Sequence, residues 1–156
     1  MKIIISTVAL VLAAISPAVA DGTWKTYTSG NRIKDITADG DILWCATTGG
    51  VARYDVSSGE YELYNTEDGL VQIHIEKVVV QNDGTVWAVT DYELCRLQNG
   101  VFVVDTPEPT GRVRMAAAAP DGSLFACTQT AVYQYDGESW ERYTTLSHNV
   151  TGECHD

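Results

Sequence analysis

The phrase DGDILWCATTGGVARYD at positions 39–55 returns twice, as DGTVWAVTDYELCRLQ at 83–98 and as DGSLFACTQTAVYQYD at 121–136. Trp44, Trp87 and Phe125 are 43 and 38 residues apart, and Thr47, Thr90 and Thr128 keep the same spacings. Seven residues after each aromatic stands Val51, Leu94 or Val132; ten after it stands Tyr54, Leu97 or Tyr135. A unit of about forty residues copied in tandem cannot bury its apolar faces alone and must stack on its neighbours.

Each unit holds four short β-type runs separated by turn residues. They are predicted at Ile33–Ala38, Ile42–Thr47, Val51–Asp55 and Glu60–Tyr64, then Ile75–Val80, Thr85–Thr90, Glu93–Leu97 and Val101–Val104, then Val113–Ala119, Ser123–Thr128, Ala131–Tyr135 and Trp140–Tyr143. Asp-Gly, Asn-Gly and Gly-Gly pairs fall where tight hairpins need positive φ. The pattern predicts no amphipathic helix after position 20. Met115–Ala119 has helical composition but stops at Pro120, and its place in the repeat is that of an inner strand, where small side chains suit strands converging on an axis. Four antiparallel strands per forty-residue unit is the signature of a β-propeller blade. The expected fold is all-β: a partial propeller of about three four-stranded blades (31–64, 74–104 and 112–143) in a ring that does not close. Trp44 and Trp87 are expected between blades.

Residues 1–20 read as a cleaved signal peptide, with Lys2, an apolar run from Ile3 to Ile15 and the small-residue site Ala18-Val19-Ala20. The run is short of the roughly 17 residues a membrane span needs. A secreted, periplasmic or cell-surface location is expected for residues 21–156. The segment 23–28, TWKTYT, matches the outer strand of a blade, and 148–156 looks like the start of a further blade. Three blades with such ends fall short of the usual four to eight. The missing blades are therefore expected from the same longer chain or from a second copy.

The consensus DGxxWxxTxxGVxRYD, followed by Tyr61-x-x-Tyr64 and Asp68-Gly69-Leu70, resembles the two-component regulator propeller repeat of bacterial periplasmic and secreted proteins. Unit one matches best. Unit two loses the glycine turn at Asp91-Tyr92-Glu93, and unit three has Phe125 for Trp and Gln129-Thr130 for the glycines. The resemblance implies a ligand-sensing or scaffolding module, and its motif carries no catalytic residue.

Little else in the sequence points to chemistry. Cys45, Cys95, Cys127 and Cys154 are even in number, but Cys45 and Cys127 stand at alternate offsets from their aromatics, on opposite strand faces. Buried thiols are expected, with a Cys95–Cys127 bridge between adjacent blades as the alternative. No Cys or His spacing suggests zinc, and neither a metal nor a cofactor is expected. His74, His148 and His155 lack the partners of a catalytic triad. Asp39, Asp83 and Asp121 read as turn formers, and Asn149-Val150-Thr151 fits a glycosylation sequon that matters only in a eukaryote. A net charge of −11 without a basic cluster argues against nucleic acid. A ligand, carbohydrate or protein, is expected over the central channel, where chain leading into the inner strands supplies Asn31, Arg32, His74, Arg112 and Arg114. The expected function is non-enzymatic binding or sensing; a propeller lyase or glycosidase, or a structural surface or secretion component, is the alternative.

Overall fold

The computed structural model describes residues 32–107 and 112–145, with side chains as far as 142. The predicted signal segment, the predicted outer strand at 23–28, Asn31, the stretch 148–156 with its sequon, His148, His155 and Cys154 lie outside the described residues.

Within them the chain forms twelve strands. The first sheet contains β1 (Ile33–Asp39), β2 (Ile42–Thr47), β3 (Gly50–Asp55) and β4 (Tyr61–Tyr64). The second contains β5 (Ile75–Val80), β6 (Val86–Thr90), β7 (Leu94–Gln98) and β8 (Val101–Val104). The third contains β9 (Met115–Ala118), β10 (Leu124–Cys127), β11 (Ala131–Tyr135) and β12 (Trp140–Thr145). Each sheet is a four-stranded antiparallel meander in chain order. The predicted strands match these in number, order and place. The largest difference is at β9, which starts at Met115 rather than Val113. There Val113 N–H donates to the carbonyl of Tyr92, in the β6–β7 turn of the second sheet, whereas Arg114 N–H still donates to the Cys127 carbonyl of the third sheet.

The hairpins are closed as their sequences require. Gly40, Gly84 and Gly122 follow their aspartates with φ of 57°, 83° and 91°. Asn99 and Gly100, at φ 50° and 82°, form the two-residue turn between β7 and β8, whose twist suits the flanking strands.

Alternation along the strands gives each sheet a forward face toward the next sheet and a back face toward the preceding one. Trp44, Ala46, Val51 and Tyr64 on the forward face of the first sheet share a core with Val78, Ala88, Cys95 and Phe102 on the back of the second. Trp87, Val89 and Leu94 then meet Ala116, Leu124, Ala126 and Tyr135 on the back of the third. Strand β6 is buried at all five positions because both of its faces are covered. Trp44 and Trp87 therefore lie between blades, 6% and 0% exposed. Burying a ring of that size is worth about 3 kcal/mol, which makes these two side chains the main fasteners between sheets. Phe125 occupies the matching position in β10 and is half-buried. One core joins the first sheet to the second and the other joins the second to the third. Neither joins the third back to the first.

A single 3-10 turn, η1 (Thr66–Asp68), lies between the first two sheets and was not foreseen in the sequence. Asn65 accepts from Glu67 N–H at 2.8 Å, and its own N–H donates to the Asp68 carboxylate at 2.9 Å, which is a capping box. Gly69 closes the turn at φ 89°, and Leu70 drops into the first core at 3% exposure. The Asp68-Gly69-Leu70 stretch of the repeat is thus a device for carrying the chain from one outer strand to the next inner strand.

Candidate functional site

The inner strands β1, β5 and β9 start at the same end of the structure. Lys34 of β1 pairs with Glu76 of β5 near their beginnings, and Gln81 and Asn82 reach the carbonyls of Gly122 and Pro120 at the opposite end. The β2–β3 type turns share the starting end and are built around the repeated threonine. The hydroxyls of Thr47, Thr90 and Thr128 donate to the carbonyls of Gly50, Glu93 and Ala131 at 2.8, 3.0 and 3.3 Å. The same oxygens accept from turn N–H groups, those of Gly49, Glu93 and Ala131 among them, at 2.9–3.1 Å. All three threonines are at most 3% exposed. Their recurrence is explained by the turn. In unit two the hydroxyl holds the same turn without glycines.

Arg32, His74, Arg112 and Arg114 all lie at this end, each exposed on the stretch leading into an inner strand. They are not equivalent. Arg112 is held by Asp91: its Nε donates to the Asp91 carbonyl, and Nη2 lies 3.0 Å from Oδ1. Its guanidinium also stacks 4.8 Å from the Tyr92 ring centroid. His74 Nε2 is 3.9 Å from Glu76 Oε1, the same oxygen that pairs with Lys34. The Arg32 carbonyl accepts from Thr48 N–H at 3.1 Å, which fixes its backbone but leaves the side chain outward. No sequence pattern singles out Lys34 or Glu76. Lys34 and Glu76 are 42 residues apart and meet only through blade stacking. Asp91 and Tyr92 look like a mere defect in the glycine turn.

At the opposite end a depression of about 580 Å³ opens between the second and third sheets, lined by Asn82, Asp83, Asp121, Gly122, Ser123, Gln134 and Asp136. None of the predicted ligand residues lines it. Its aspartates are occupied as turn formers. Asp83 accepts from Thr85 N–H at 2.9 Å, Asp121 from the N–H and hydroxyl of Ser123, and Asp136 from Glu138 and Ser139 N–H at 2.9 Å. These bonds hold all three carboxyls below the usual range. Among the described residues no group of three His, Cys, Asp or Glu side chains is placed to hold a metal ion. No disulfide joins Cys45, Cys95 and Cys127: the first two are buried thiols, whereas Cys127 is half-buried rather than buried, because it lies on the forward face of the third sheet. Burial pushes the Cys95 thiol up to about 11.

No protein-family model matches the chain. No curated protein matches it either. Solved structures do. The extracellular domain of the putative hybrid two component system BT3049 from B. thetaiotaomicron is 20% identical, with a TM-score of 0.58, over 77% of this chain and 18% of that one. The corresponding domain of BT4673 gives 17% identity and a TM-score of 0.60, over 73% and 17%. Virginiamycin B lyase from Staphylococcus aureus gives 14% identity and a TM-score of 0.60, over 78% and 45%. The chain thus spans under a fifth of the two-component domains and under half of the lyase. No helix among the described residues is long and apolar enough to cross a membrane. The likeness is one of fold, and it agrees with the stacked meanders: the described residues form a run of three β-propeller blades, consistent with the two-component regulator propeller family that the repeats resemble.

Proposed function

We propose that the chain is a non-enzymatic recognition module, secreted or periplasmic, that binds an acidic carbohydrate or similar carboxylate ligand on the end where its inner strands begin. The blades act within a complete ring, with the remaining blades supplied by a longer chain or a second copy. The observation that carries the reading is the placement of positive charge. In a chain of net charge −11 with ten Lys and Arg, Arg32, Lys34, Arg112 and Arg114 lie at this one end, and His74 joins them. Glu76 and Asp91 hold Lys34 and Arg112 in place, which preorganises donors for a carboxylate. The opposite end carries Asp83, Asp121 and Asp136 and would repel the same ligand. A signalling role fits the two-component domains whose fold the chain shares.

Calorimetric titration with uronic-acid oligosaccharides and with neutral oligosaccharides of equal length tests this reading. Binding of the acidic series alone is expected, weakened about tenfold by Arg32→Ala or Arg114→Ala and by raised salt. Equal binding of the neutral series, or indifference to both substitutions, would overturn it.

A further inference from the structure

The turn between β6 and β7 carries a tyrosine that the turn itself does not need. Tyr92 stands at the position held by Gly49 in the first sheet and by Thr130 in the third. All three residues make the same backbone bond: the hydroxyl oxygens of Thr47, Thr90 and Thr128 accept from the N–H groups of Gly49, Tyr92 and Thr130 at 3.0, 3.3 and 3.3 Å. A glycine, a tyrosine and a threonine serve that bond alike, so the turn gives no reason for a ring. The ring is nonetheless 61% exposed, at the end where the inner strands begin.

It is also held in place. The Tyr92 carbonyl accepts from Val113 N–H at 3.2 Å, so its backbone is bonded through both of its polar groups. The Arg112 guanidinium lies 4.8 Å from the ring centroid. That guanidinium is anchored along one edge: Nε donates to the Asp91 carbonyl, and Nη2 donates to Asp91 Oδ1 at 3.0 Å. Arginine has five N–H donors in a rigid planar fork. Neither bond uses Nη1, so the terminal edge formed by Nη1 and Nη2 keeps its donors for a second planar acceptor, on a side chain 40% exposed.

We propose that Tyr92 and Arg112 form one subsite for a uronic-acid residue. The terminal edge of the guanidinium takes the carboxylate through two parallel hydrogen bonds, and the exposed part of the tyrosine ring takes the C–H face of the pyranose. An aromatic ring has a negative face, which suits the weakly positive C–H bonds of a sugar. Tyrosine supplies contact area with only two side-chain torsions to freeze, and here the backbone bonds and the stacked guanidinium already restrict them. This inference rests on the carboxylate-binding reading above and narrows it. An acyclic polyacid satisfies the guanidinium but leaves the ring uncovered, so the subsite selects cyclic sugar acids.

The experiment is calorimetric titration of the full-length protein with trigalacturonate and with triglutamate capped at both ends, which carries as many carboxylates on an open chain. The wild-type protein is expected to bind the sugar at least about tenfold more tightly than the peptide. Tyr92→Leu should weaken the sugar about tenfold and leave the peptide within about twofold, and Tyr92→Phe, which restores the ring, should recover most of the loss. The urea midpoint of each variant checks that it is folded. If Tyr92→Leu weakens both probes equally, the tyrosine acts only by holding Arg112; the sugar-ring subsite is overturned while the carboxylate reading stands. Indifference of both probes to Tyr92→Leu overturns the subsite in the same way. So does equal binding of the two probes by the wild-type protein, whatever the variants do. A wild-type protein that binds neither probe overturns the subsite and the carboxylate reading together.

Discussion

Gln81 accepts a 2.6 Å hydrogen bond from the indole N–H of Trp87. Its own amide N–H donates to the Gly122 carbonyl of the next blade at 2.7 Å. One side chain, 8% exposed, therefore orients the largest fastener of the second core and ties two blades at the end opposite the cationic cluster. Replacing it with Leu would leave a buried indole N–H and a carbonyl unpaired, each costing about 1–3 kcal/mol. Gln81→Leu is expected to lower the urea midpoint by the equivalent of about 2 kcal/mol or more with an unchanged slope. Gln81→Glu keeps the acceptor for Trp87 but sets a carboxylate against a carbonyl, and should be no better.

Among the described glycines with positive φ, Gly50 and Gly69 are the two at which an added β-carbon would run into backbone. A β-carbon on Gly50, at φ 131°, would lie 1.9 Å from the Tyr64 carbonyl oxygen. On Gly69, at φ 89°, it would lie 2.1 Å from the Phe102 carbonyl oxygen. Both obstacles are backbone, so an outer strand would have to move. At Gly84 and Gly122 φ is also positive, but nothing lies within 4 Å. Gly50→Ala and Gly69→Ala should each cost more than about 3 kcal/mol, and Gly84→Ala about 1 kcal/mol. Equal losses in a denaturant series would show that conformation rather than contact sets the cost.

Arg96 binds the second and third blades through its charge. Its guanidinium carbon is 5.4 Å from the Trp87 ring centroid and 5.5 Å from that of Tyr135. Nη2 lies 2.9 Å from an oxygen of Asp105, whose other oxygen accepts from Trp140 Nε1 at 3.0 Å. Both partners of the ion pair are mostly but not wholly buried, at 25% and 19% side-chain exposure. Arg96→Met is expected to cost about 1–2 kcal/mol, and Arg96→Lys to recover less than half, because an ammonium cannot stack between two rings. A double-mutant cycle with Trp140→Phe measures the coupling carried through Asp105.

Much of the architecture was legible in the sequence because the repeat samples each structural role three times. Turn residues, strand spacing and the aromatic between blades each recur, so a departure such as Phe125 for Trp does not hide the pattern. Strand ends were less legible. Val113 has the composition of a strand, yet its N–H goes to Tyr92 of another blade, a preference no local pattern carries. The 3-10 turn at 66–68 is signalled only by Asn65 and Asp68 three residues apart, in a stretch that the sequence marks only as the Asp-Gly-Leu end of the repeat. The candidate site was half-visible. Position in the repeat put Arg32, His74, Arg112 and Arg114 at one end, but the partners that hold His74 and Arg112 come from register and stacking. Glu76 receives Lys34 because β1 and β5 lie side by side, which is a fact of the assembled blades.

Tyr64 makes stability sensitive to alkali. Burial, followed by the hydrogen bond its hydroxyl donates to Glu62 Oε2 at 2.8 Å, pushes its pKa from 10 up to about 12. A phenol whose pKa is higher in the folded chain stabilises that fold fully below pH 10, and the contribution is lost as pH rises through 10 toward 12. The urea midpoint should therefore fall over that window, and Tyr64→Phe should reduce the fall, leaving the part that comes from the buried Cys95 thiol, raised from 9.0 to about 11, and from Tyr135. Spectrophotometric titration at the phenolate band gives the direct reading: Tyr64 and Tyr135, both raised by burial, should ionise late, and Tyr64→Phe should remove the Tyr64 share of that late component. Glu62→Gln should move it earlier while leaving part of the shift, because burial is the larger cause. The acid side has the opposite sign. Asp55, Asp83, Asp121 and Asp136 are held below 3.8 by turn N–H and hydroxyl donors, so their stabilisation is full above 3.8 and fades as pH drops through their lower native values. Stability should accordingly be flat between about pH 5 and 9 with a shoulder lost on each side. An unfolding midpoint that already climbs between pH 5 and 7 would mean that groups other than these govern the response.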